Sequence, residues 1–372
     1  MTREDPKEIR GTPDKPGIPG IELAQCVLPA GDLASTLSFF IECLGFRLDN
    51  IMPAEDPRVA RLRGHGLCLL LDADYQGGPG VLRLGTSDDE GCEPIVAPNG
   101  TRIEFEPVLA PMHLPALQSC LSIVHDDGAP GVWKAGRAGM LYRDLIPDRQ
   151  GGRFIASHIR ILRGGPVGDN VHHHAIRLQL IYCRRGWVRL VYEDQGEPFV
   201  MRAGDCVLQP PHIRHRVLES SEGLEVIEVS SPAEHMTCLD YEMQLPTGRH
   251  LPQRDYAGQR FVLHQASEAQ WSDSEGAGWT SRDLGIGAAT DALATARVMR
   301  RTASMEAPDL TMRQDKAFAF AFVLAGSMNL QVDALAPKAL TAGDAFVVPA
   351  GMRQKFADCS ANLALLQVFA QA

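Results

Sequence analysis

The feature that most constrains this chain is an internal repeat in its C-terminal two thirds. The tripeptide Arg-Asp-Leu starts at Arg143 and again at Arg282, and each copy is followed at nearly the same distance by Ala-Gly-Asp and a proline. Short alternating segments separated by Gly, Pro and Asp turns surround these landmarks, which is typical of an all-β sandwich or barrel. A repeat of this length indicates duplication of such a unit. The sequence therefore predicts a mainly β protein with barrels over residues 141–245 and 276–372, joined by a connector over 246–275.

A dense group of histidines lies in the first repeat. His172 and His174 are two residues apart, so on a strand both side chains point to the same face, while His173 points to the other. His215 can supply a third imidazole if its strand lies across the barrel from the first. Three neutral imidazoles suit Fe(II), Ni(II), Cu(II) or Zn(II) better than Mg(II) or Ca(II), which prefer oxygen ligands. We therefore predict one divalent transition metal per chain; the alternative is a polar cluster on an exposed loop.

Residues 165–217 resemble the two signature motifs of the cupin superfamily. The first motif is His-x-His, four residues, an acidic residue, six residues and Gly, and the second is Gly, five residues, Pro-x-Gly, two residues and His. The matching positions are His172, His174, Gln179 and Gly186 in the first motif and Gly204, Pro210, His212 and His215 in the second. The resemblance implies a double-stranded β-helix, or jelly-roll, barrel with histidine ligands. This chain departs from the pattern twice, with Gln179 in place of Glu and His212 in place of Gly.

The three-histidine set is similar to that of ring-cleaving cupin dioxygenases of the gentisate and salicylate type. Gln179 is then expected beside the metal, either as a weak fourth ligand or as an amide that orients water or substrate. Arg177 and Arg214 flank the motifs and are candidates for a bidentate contact with a substrate carboxylate. His212 is a candidate for lining the site. The alternative for both arginines and for His212 is an ordinary structural or surface role.

The second repeat keeps the scaffold of these motifs and loses the ligands. Its glycine and proline landmarks remain, whereas the four ligand positions hold Met312, Gln314, Ala319 and Gln354. We therefore predict that the second barrel binds no metal. Its expected contribution is packing, a dimer surface or a lid over the first barrel.

Residues 21–108 resemble part of a vicinal-oxygen-chelate, or glyoxalase-like, domain. A strand is followed by a helix predicted from Asp32 to Leu44 and then by short strands, and the segment VLRLGTSDD is predicted as a polar turn. The resemblance places possible metal ligands at Gln25 and Glu104, for which ordinary strand positions are the alternative. We expect a small, degenerate α+β module that serves association or covers the mouth of the metal-binding barrel.

Composition and charge exclude several classes of partner. The net charge of −10 argues against nucleic acid and anionic membranes, because both select basic surfaces. No apolar run approaches the roughly 18 residues that a membrane span needs. Residues 1–20 are expected to form a flexible lead-in without a signal peptide, and residues 109–140 an irregular connector. The nine scattered cysteines, with no Cys-x-x-Cys pair, fit a reducing cytoplasm.

These observations predict a metal-dependent cupin enzyme that acts on a small molecule. The leading interpretation is an Fe(II) dioxygenase for a small anionic substrate, either aromatic or a hydroxy acid, with Ni, Mn, Zn and Cu left open as the metal. One alternative is a non-oxidative isomerase, decarboxylase or hydrolase, and another is a small-molecule-binding protein with a structural metal. The resemblance to bicupins also implies a homo-oligomer, with a dimer as the expectation.

Overall fold

A computed structural model describes residues 20, 22–86, 92–107, 112–128, 132–274, 276–302 and 309–371. The chain divides into two compact units, residues 1–111 and 112–372. β-Strands dominate the structure, which confirms the predicted mainly β class. Most of the predicted lead-in, residues 1–20, lies outside the described residues. Among the residues described, no helix is long and apolar enough to span a bilayer.

The first unit is built from two small sheets. Its strands are β1 (Cys26–Pro29), β2 (Arg47–Met52), β3 (Val59–Gly64), β4 (Leu67–Asp72), β5 (Val81–Thr86), β6 (Ile95–Val96) and β7 (Arg102–Pro107). One sheet has the order β1-β4-β3-β2, with β1 parallel to β4, and the other has the order β5-β7-β6. The chain order strand, helix and three strands matches the prediction for the first part of this unit.

The predicted helix of the first unit is confirmed, with one local distortion. Helix α1 (Leu33–Ser38) continues into a π-helical turn (Phe39–Cys43), and the Asp32 carboxylate accepts a hydrogen bond from the Ser35 amide at 3.1 Å. This cap satisfies one of the amide groups that a helix start leaves without a partner. The apolar stripe of the helix is buried against the sheet, with Phe40 fully enclosed.

The prediction of a polar turn at VLRLGTSDD was wrong for its first six residues. Val81–Thr86 forms strand β5, which pairs in parallel with β7 over its whole length. The remaining residues of the segment, 87–89, lie outside the described part of the chain. Leu82 and Leu84 are half-buried and alternate with exposed residues, as in a strand with one covered face. The segment forms a strand because it pairs with β7, a partner that the local sequence does not reveal.

The second unit contains two halves with related topology. In the first half, residues 134–239, the strands are β9 (Lys134–Ala135), β10 (Leu141–Asp144), β11 (Ile155–Ile161), β12 (Gly165–Pro166), β13 (His172–Ala175), β14 (Leu178–Arg185), β15 (Trp187–Tyr192), β16 (Phe199–Arg202), β17 (Cys206–Leu208), β18 (His215–Ser220), β19 (Leu224–Ser231) and β20 (Met236–Leu239). A 3₁₀ turn (Arg137–Gly139) precedes β10, and a short helix, α2 (Arg149–Gly152), follows it. The two sheets include the orders β17-β14-β19-β11-β10-β9 and β16-β15-β18-β13-β20.

The second half, residues 272–370, repeats this order. Its strands are β22 (Ser272–Asp273), β23 (Trp279–Asp283), β24 (Ala294–Arg301), β25 (Leu310–Arg313), β26 (Phe318–Ala325), β27 (Ser327–Val332), β28 (Lys338–Thr341), β29 (Ala345–Val347), β30 (Arg353–Ala357) and β31 (Ala364–Ala370), with a short helix α3 (Ile286–Ala289). The sheets include β29-β26-β31-β24-β23-β22, which matches β17-β14-β19-β11-β10-β9, and β28-β27-β30-β25, which matches the first four strands of β16-β15-β18-β13-β20. The repeated sequence landmarks therefore correspond to a repeated topology.

Each half receives an edge strand from the segment that precedes the other half. Strand β8 (Ser122–Val124), ahead of the first half, pairs with β29 of the second half. Strand β21 (Val262–His264), ahead of the second half, pairs with β17 of the first half. Residues 109–140 and 246–275, expected to be connectors, thus also contribute short strands to the sheets. The two halves are interlocked by this reciprocal pairing.

The repeated tripeptides meet across the same interface. Arg143 donates a hydrogen bond to the carbonyl of Gly343 at 2.7 Å, and Arg282 donates to the carbonyl of Gly204 at 2.9 Å. Each arginine thus binds the glycine of the other half's Ala-Gly-Asp turn. Both glycines have φ near +100°, a conformation that strongly favours glycine. Nearby, Phe154 and Phe318 stack with their ring centroids 3.8 Å apart, so an apolar core continues between the halves.

Side-chain size distinguishes the interiors of the two halves. The second half buries Trp279, Met299, Phe346 and Phe356 in its own core. By strand alignment, the first half has smaller or more slender side chains at the same positions, namely Met140, Ile159, Val207 and Val217. The smaller residues leave room for a cavity in the first half, whereas the aromatic rings fill the corresponding space in the second.

Candidate metal centre

Three histidine side chains of the first half converge at one point. His172 and His174 lie on β13, and His215 begins β18, where it pairs directly with His172. The candidate ligand atoms of the three rings all lie within 4.8 Å of one another. The two-residue period of β13 directs both of its histidines to one face, as the sequence predicted. The structure thus brings together the three predicted metal ligands.

Backbone carbonyls orient two of the imidazoles. The Nδ1 atom of His172 lies 2.8 Å from the carbonyl of Asn170, and that of His215 lies 3.0 Å from the carbonyl of Ile213. A carbonyl only accepts, so both Nδ1 atoms carry the proton and both Nε2 atoms offer a lone pair. The Nδ1 of His174 contacts the Thr237 hydroxyl at 2.9 Å. Such outer contacts are the usual means of fixing a histidine ligand.

Burial keeps these rings neutral. It lowers the pKa of His174 to about 3 and that of His215 well below its usual range, with the neighbouring histidines acting in the same direction. Burial also lowers the pKa of His172. Neutral imidazoles with a lone pair on Nε2 are the form that binds a metal. The donor set therefore fits a divalent transition metal.

An arginine that the sequence analysis did not single out reaches this centre. Arg137 donates from Nη2 to Nε2 of His172 at 2.7 Å, and its Nη1 donates to Asp169 at 2.5 Å. Asp169 is buried and also accepts a hydrogen bond from the Val217 amide at 3.0 Å. The buried carboxylate thereby anchors a guanidinium beside the three imidazoles.

Gln179 lies in the cavity wall within an amide network. Its Oε1 accepts a hydrogen bond from Gln209 at 2.9 Å, and the Gln209 Oε1 accepts one from the Tyr192 hydroxyl at 2.5 Å. Gln209 also lies 3.4 Å from Nε2 of His215. The ring of Tyr192 is stacked beside that of His215. This buried network fixes the amide of Gln179 in the lining of the histidine cavity.

Two further titratable side chains line the cavity. Glu228 on β19 accepts a hydrogen bond from Ser230 at 3.3 Å, and burial raises the pKa of its carboxyl group. The ring of His235 lies 5.5 Å from that of His174, and its Nδ1 donates to the Pro232 carbonyl at 3.0 Å. Sequence reasoning missed both residues. The signal was available for Glu228, a charged residue in the mostly apolar sequence LEVIEVSS, on the same strand face as Leu224 and Val226.

The other three predicted site residues lie outside the cavity lining. Arg214 pairs with Asp240 at 3.2 Å, and Arg177 is tied through its backbone amide to the Ser231 carbonyl. His212 has φ of 61°, the left-handed region in which glycine is the favoured residue. Its ring lies near that of His173, on the other face of β13 from the three ligands. Arg137 is the arginine that lines the cavity instead.

The cavity has a volume of about 350 Å³, within the range of small-molecule sites. Its polar side chains cluster at one end with the histidines. Farther along the same strands the lining becomes aliphatic: Val217 follows His215 on β18, and Val226 and Leu224 precede Glu228 on β19. The site is therefore a pocket with a polar end that contains the histidine triad and an apolar end.

The second half shows the predicted loss of ligands in the same strand register. Met312 pairs with Gln354 on β25 and β30, as His172 pairs with His215. Among the described residues, the histidine triad is the one cluster found that is suited to hold a metal. In the first unit, Gln25 is exposed ahead of β1, while Glu104 on β7 binds Arg83 at 2.9 Å. Gln25 thus precedes a strand of one sheet, whereas Glu104 lies in the other sheet.

No family model and no curated protein matches the chain. Solved structures do match it. Protein Ylba from E. coli, of the DUF861 family, is 12% identical, with a TM-score of 0.50 over 69% of this chain and 93% of Ylba. A glyoxylate-induced protein from Pseudomonas aeruginosa is 10% identical, with a TM-score of 0.50 over 70% of this chain and 92% of its own. A single-residue variant of the oxalate decarboxylase of B. subtilis is 12% identical, with a TM-score of 0.48 over 71% of this chain and 80% of its own. The strand order, the repeated halves and the first two of these similarities identify a cupin-type fold.

Proposed function

We propose that this protein is a metal-dependent cupin enzyme that oxidises a small anionic substrate with Fe(II) and dioxygen. The observation that carries the proposal is the convergence of three neutral imidazoles in a pocket of about 350 Å³. His172, His174 and His215 would hold the metal. Bound there, the metal would act as a Lewis acid and, as Fe(II), would supply electrons to dioxygen.

The protein's own groups would position the substrate and exclude water. The three ligands are uncharged, so the site has a positive charge with the metal bound, which favours an anionic substrate. The Gln179 amide, fixed by Gln209 and Tyr192, would orient a polar group of the substrate. The aliphatic end of the cavity would keep bulk water away from the reacting atoms.

Glu228 favours a second candidate function. Burial raises the pKa of the Glu228 carboxyl group, and a carboxyl group in a pocket wall can transfer a proton to or from a bound molecule. Isomerases, decarboxylases and hydrolases need such a proton carrier. A non-oxidative reaction at the same metal centre, with Glu228 as acid or base, is therefore the second proposal.

The wider architecture is part of the proposal. We propose that the two halves of the second unit are cupin barrels, of which the first binds metal and the second is structural. Residues 21–108 are proposed as a degenerate glyoxalase-like module that serves association, in a cytoplasmic homodimer without nucleic-acid or membrane partners. The strand-helix-strand order of this module and the net charge of −10 support these assignments. Light scattering of the purified protein measures the oligomeric state.

The first experiment measures bound metal in protein purified without an affinity tag. We expect about one metal ion per chain in the wild type and loss of that ion in His174→Ala, because one of three ligands is removed. His173→Ala is the matched control, since that side chain lies on the opposite face of the same strand. Iron, with oxygen consumption on addition of phenolic or hydroxy acids, supports the dioxygenase.

Other outcomes of this experiment separate the proposals. Zinc or manganese together with turnover that consumes no oxygen favours the non-oxidative enzyme. Equal metal content in wild type and His174→Ala contradicts the metal centre. If no metal binds even after reconstitution with Fe(II), Co(II) or Zn(II), the proposal of a metal-dependent enzyme is wrong.

A further inference from the structure

We infer that the pocket is built for a small monocarboxylate with an apolar body, whose carboxylate Arg137 binds beside the metal. This inference rests on the proposed function and adds the substrate class and a specificity-determining residue. It follows from two observations: which atom Arg137 contacts, and how the polarity of the wall changes along the pocket.

The contact of Arg137 with His172 leaves a donor for a ligand. In the structure, Arg137 Nη2 donates to Nε2 of His172 at 2.7 Å. That lone pair cannot serve an arginine and a metal together, so a metal ligated by His172 displaces this hydrogen bond. The displaced N–H then needs another acceptor, because a guanidinium donor without a partner costs free energy. A carboxylate that reaches the metal is an acceptor of matching charge and geometry.

The surroundings of Arg137 keep it available for this role. Asp169 holds Nη1 at 2.5 Å, and this carboxylate also accepts from the amides of Asn170 and Val217. The Arg137 side chain is 38% exposed, so a ligand can reach it. Among the described lining residues, Glu228 is the acidic side chain, and burial raises the pKa of its carboxyl group.

The far end of the pocket selects an apolar body. Val226 and Leu224 on β19 lie beyond Glu228, and Val217 and Leu190 on the facing strands lie beyond His215. A chain that extends from the carboxylate along this wall would bury its methylenes against aliphatic side chains. A second carboxylate at that end would lose its hydration without a charged partner, which is strongly unfavourable. Long dicarboxylates are therefore expected to be rejected.

The test titrates Co(II)-loaded protein with acetate, butyrate, hexanoate and adipate, following the visible absorption of the cobalt. Affinity is expected to rise about fourfold for each added methylene until the pocket is filled. Adipate is expected to bind more weakly than hexanoate. Arg137→Gln is expected to weaken hexanoate binding by roughly 10-fold to 150-fold, the range for a charge-assisted hydrogen bond, while still binding Co(II). Arg137→Lys keeps the charge without the planar fork and is expected to be intermediate.

Arg214→Gln is the matched control, because this arginine pairs with Asp240 outside the cavity lining. It is expected to bind hexanoate as the wild type does. Arg137→Gln and Arg137→Lys that both bind hexanoate with wild-type affinity would overturn the role of Arg137. An affinity that does not change from acetate to hexanoate would overturn the apolar substrate class. Failure of the wild type to bind Co(II) would instead contradict the proposed function, so the two failures are distinguishable.

Discussion

At the scale of single residues, the site depends on both local and long-range contacts. The spacing of His172 and His174 predicted their shared face, because the two-residue period of a strand is a local property. Arg137 was not predictable in this way, since it reaches His172 from 35 residues earlier in the chain. Arg177 and Arg214 are closer to the ligands in sequence but lie outside the cavity lining. Proximity along the chain is therefore a poor guide to which arginine serves the site.

The buried carboxylate of Glu225 gives a prediction at the residue scale. Glu225 lies 2.9 Å from His158, 2.8 Å from Arg184 and 3.3 Å from Arg160. Burial raises the pKa of Glu225, but the hydrogen bond with His158 and the two guanidinium charges outweigh this and lower the pKa to about 2. A carboxyl pKa that falls on folding stabilises the fold at pH values above the unfolded pKa. That stabilisation disappears as the pH falls from about 4.5 to about 2.

Glu225→Gln is therefore expected to lower the free energy of unfolding at pH 7 by about 2 kcal/mol, and to flatten the loss of stability between pH 4.5 and 2. Urea unfolding at a series of pH values measures both effects. Glu222→Gln, at an exposed position in the preceding turn, is the control. Equal pH dependence in the wild type and Glu225→Gln would contradict the assignment.

At the scale of elements, the exchange of edge strands is the feature least visible in the sequence. Alternation and turn residues predicted the β character of both halves, and the repeated landmarks predicted their equivalence. The segment around β8 contains many proline and glycine residues and has no such alternation. It becomes a strand because it pairs with the edge strand β29 of the second half. In the same way, β21 pairs with the edge strand β17 of the first half. Short segments of this kind take their structure from a distant partner.

The buried arginines at this interface can be tested directly. Arg143 is 1% exposed, donates to Gly343 and lies 3.6 Å from Asp126 of the segment that follows β8. Arg143→Met removes the charge and the hydrogen bond to the other half. We expect it to destabilise the protein by about 3 kcal/mol, measured by urea unfolding.

Arg189→Met, at an exposed position on β15, is the control and is expected to change stability by less than about 0.5 kcal/mol. If Arg143→Met were as stable as this control, the interface arginine would contribute nothing to the interlocking of the halves.

At the scale of the whole molecule, the two similar halves differ in what occupies their interiors. The first half has smaller side chains around a cavity, and the second has Trp279 and Phe356 in the equivalent space. The lining of the cavity comes from residues 137–237, all within the second compact unit. The repeat and its missing ligands were readable in the sequence. The cavity was not, because it depends on how side-chain volumes add up in three dimensions.

This division predicts that residues 112–372 alone keep the candidate metal site. The fragment is expected to bind one Co(II) per chain with the affinity of the full chain, because every cavity residue lies within it. Calorimetric titration of both proteins with Co(II) measures this. A folded fragment, checked by circular dichroism, that binds Co(II) at least tenfold more weakly would place part of the site in residues 1–111.

The reciprocal edge strands also bear on how such a chain can evolve. A second half without a histidine triad would ordinarily be free to accumulate substitutions. Here β21 extends the sheet of the half that contains the histidine triad, while β8 and Arg143 connect that half to the second half. Selection that maintains the histidine triad in the first half would therefore also preserve the second half. In a mutational scan for metal binding, intolerant positions would extend across residues 272–370, outside the half that contains the histidine triad.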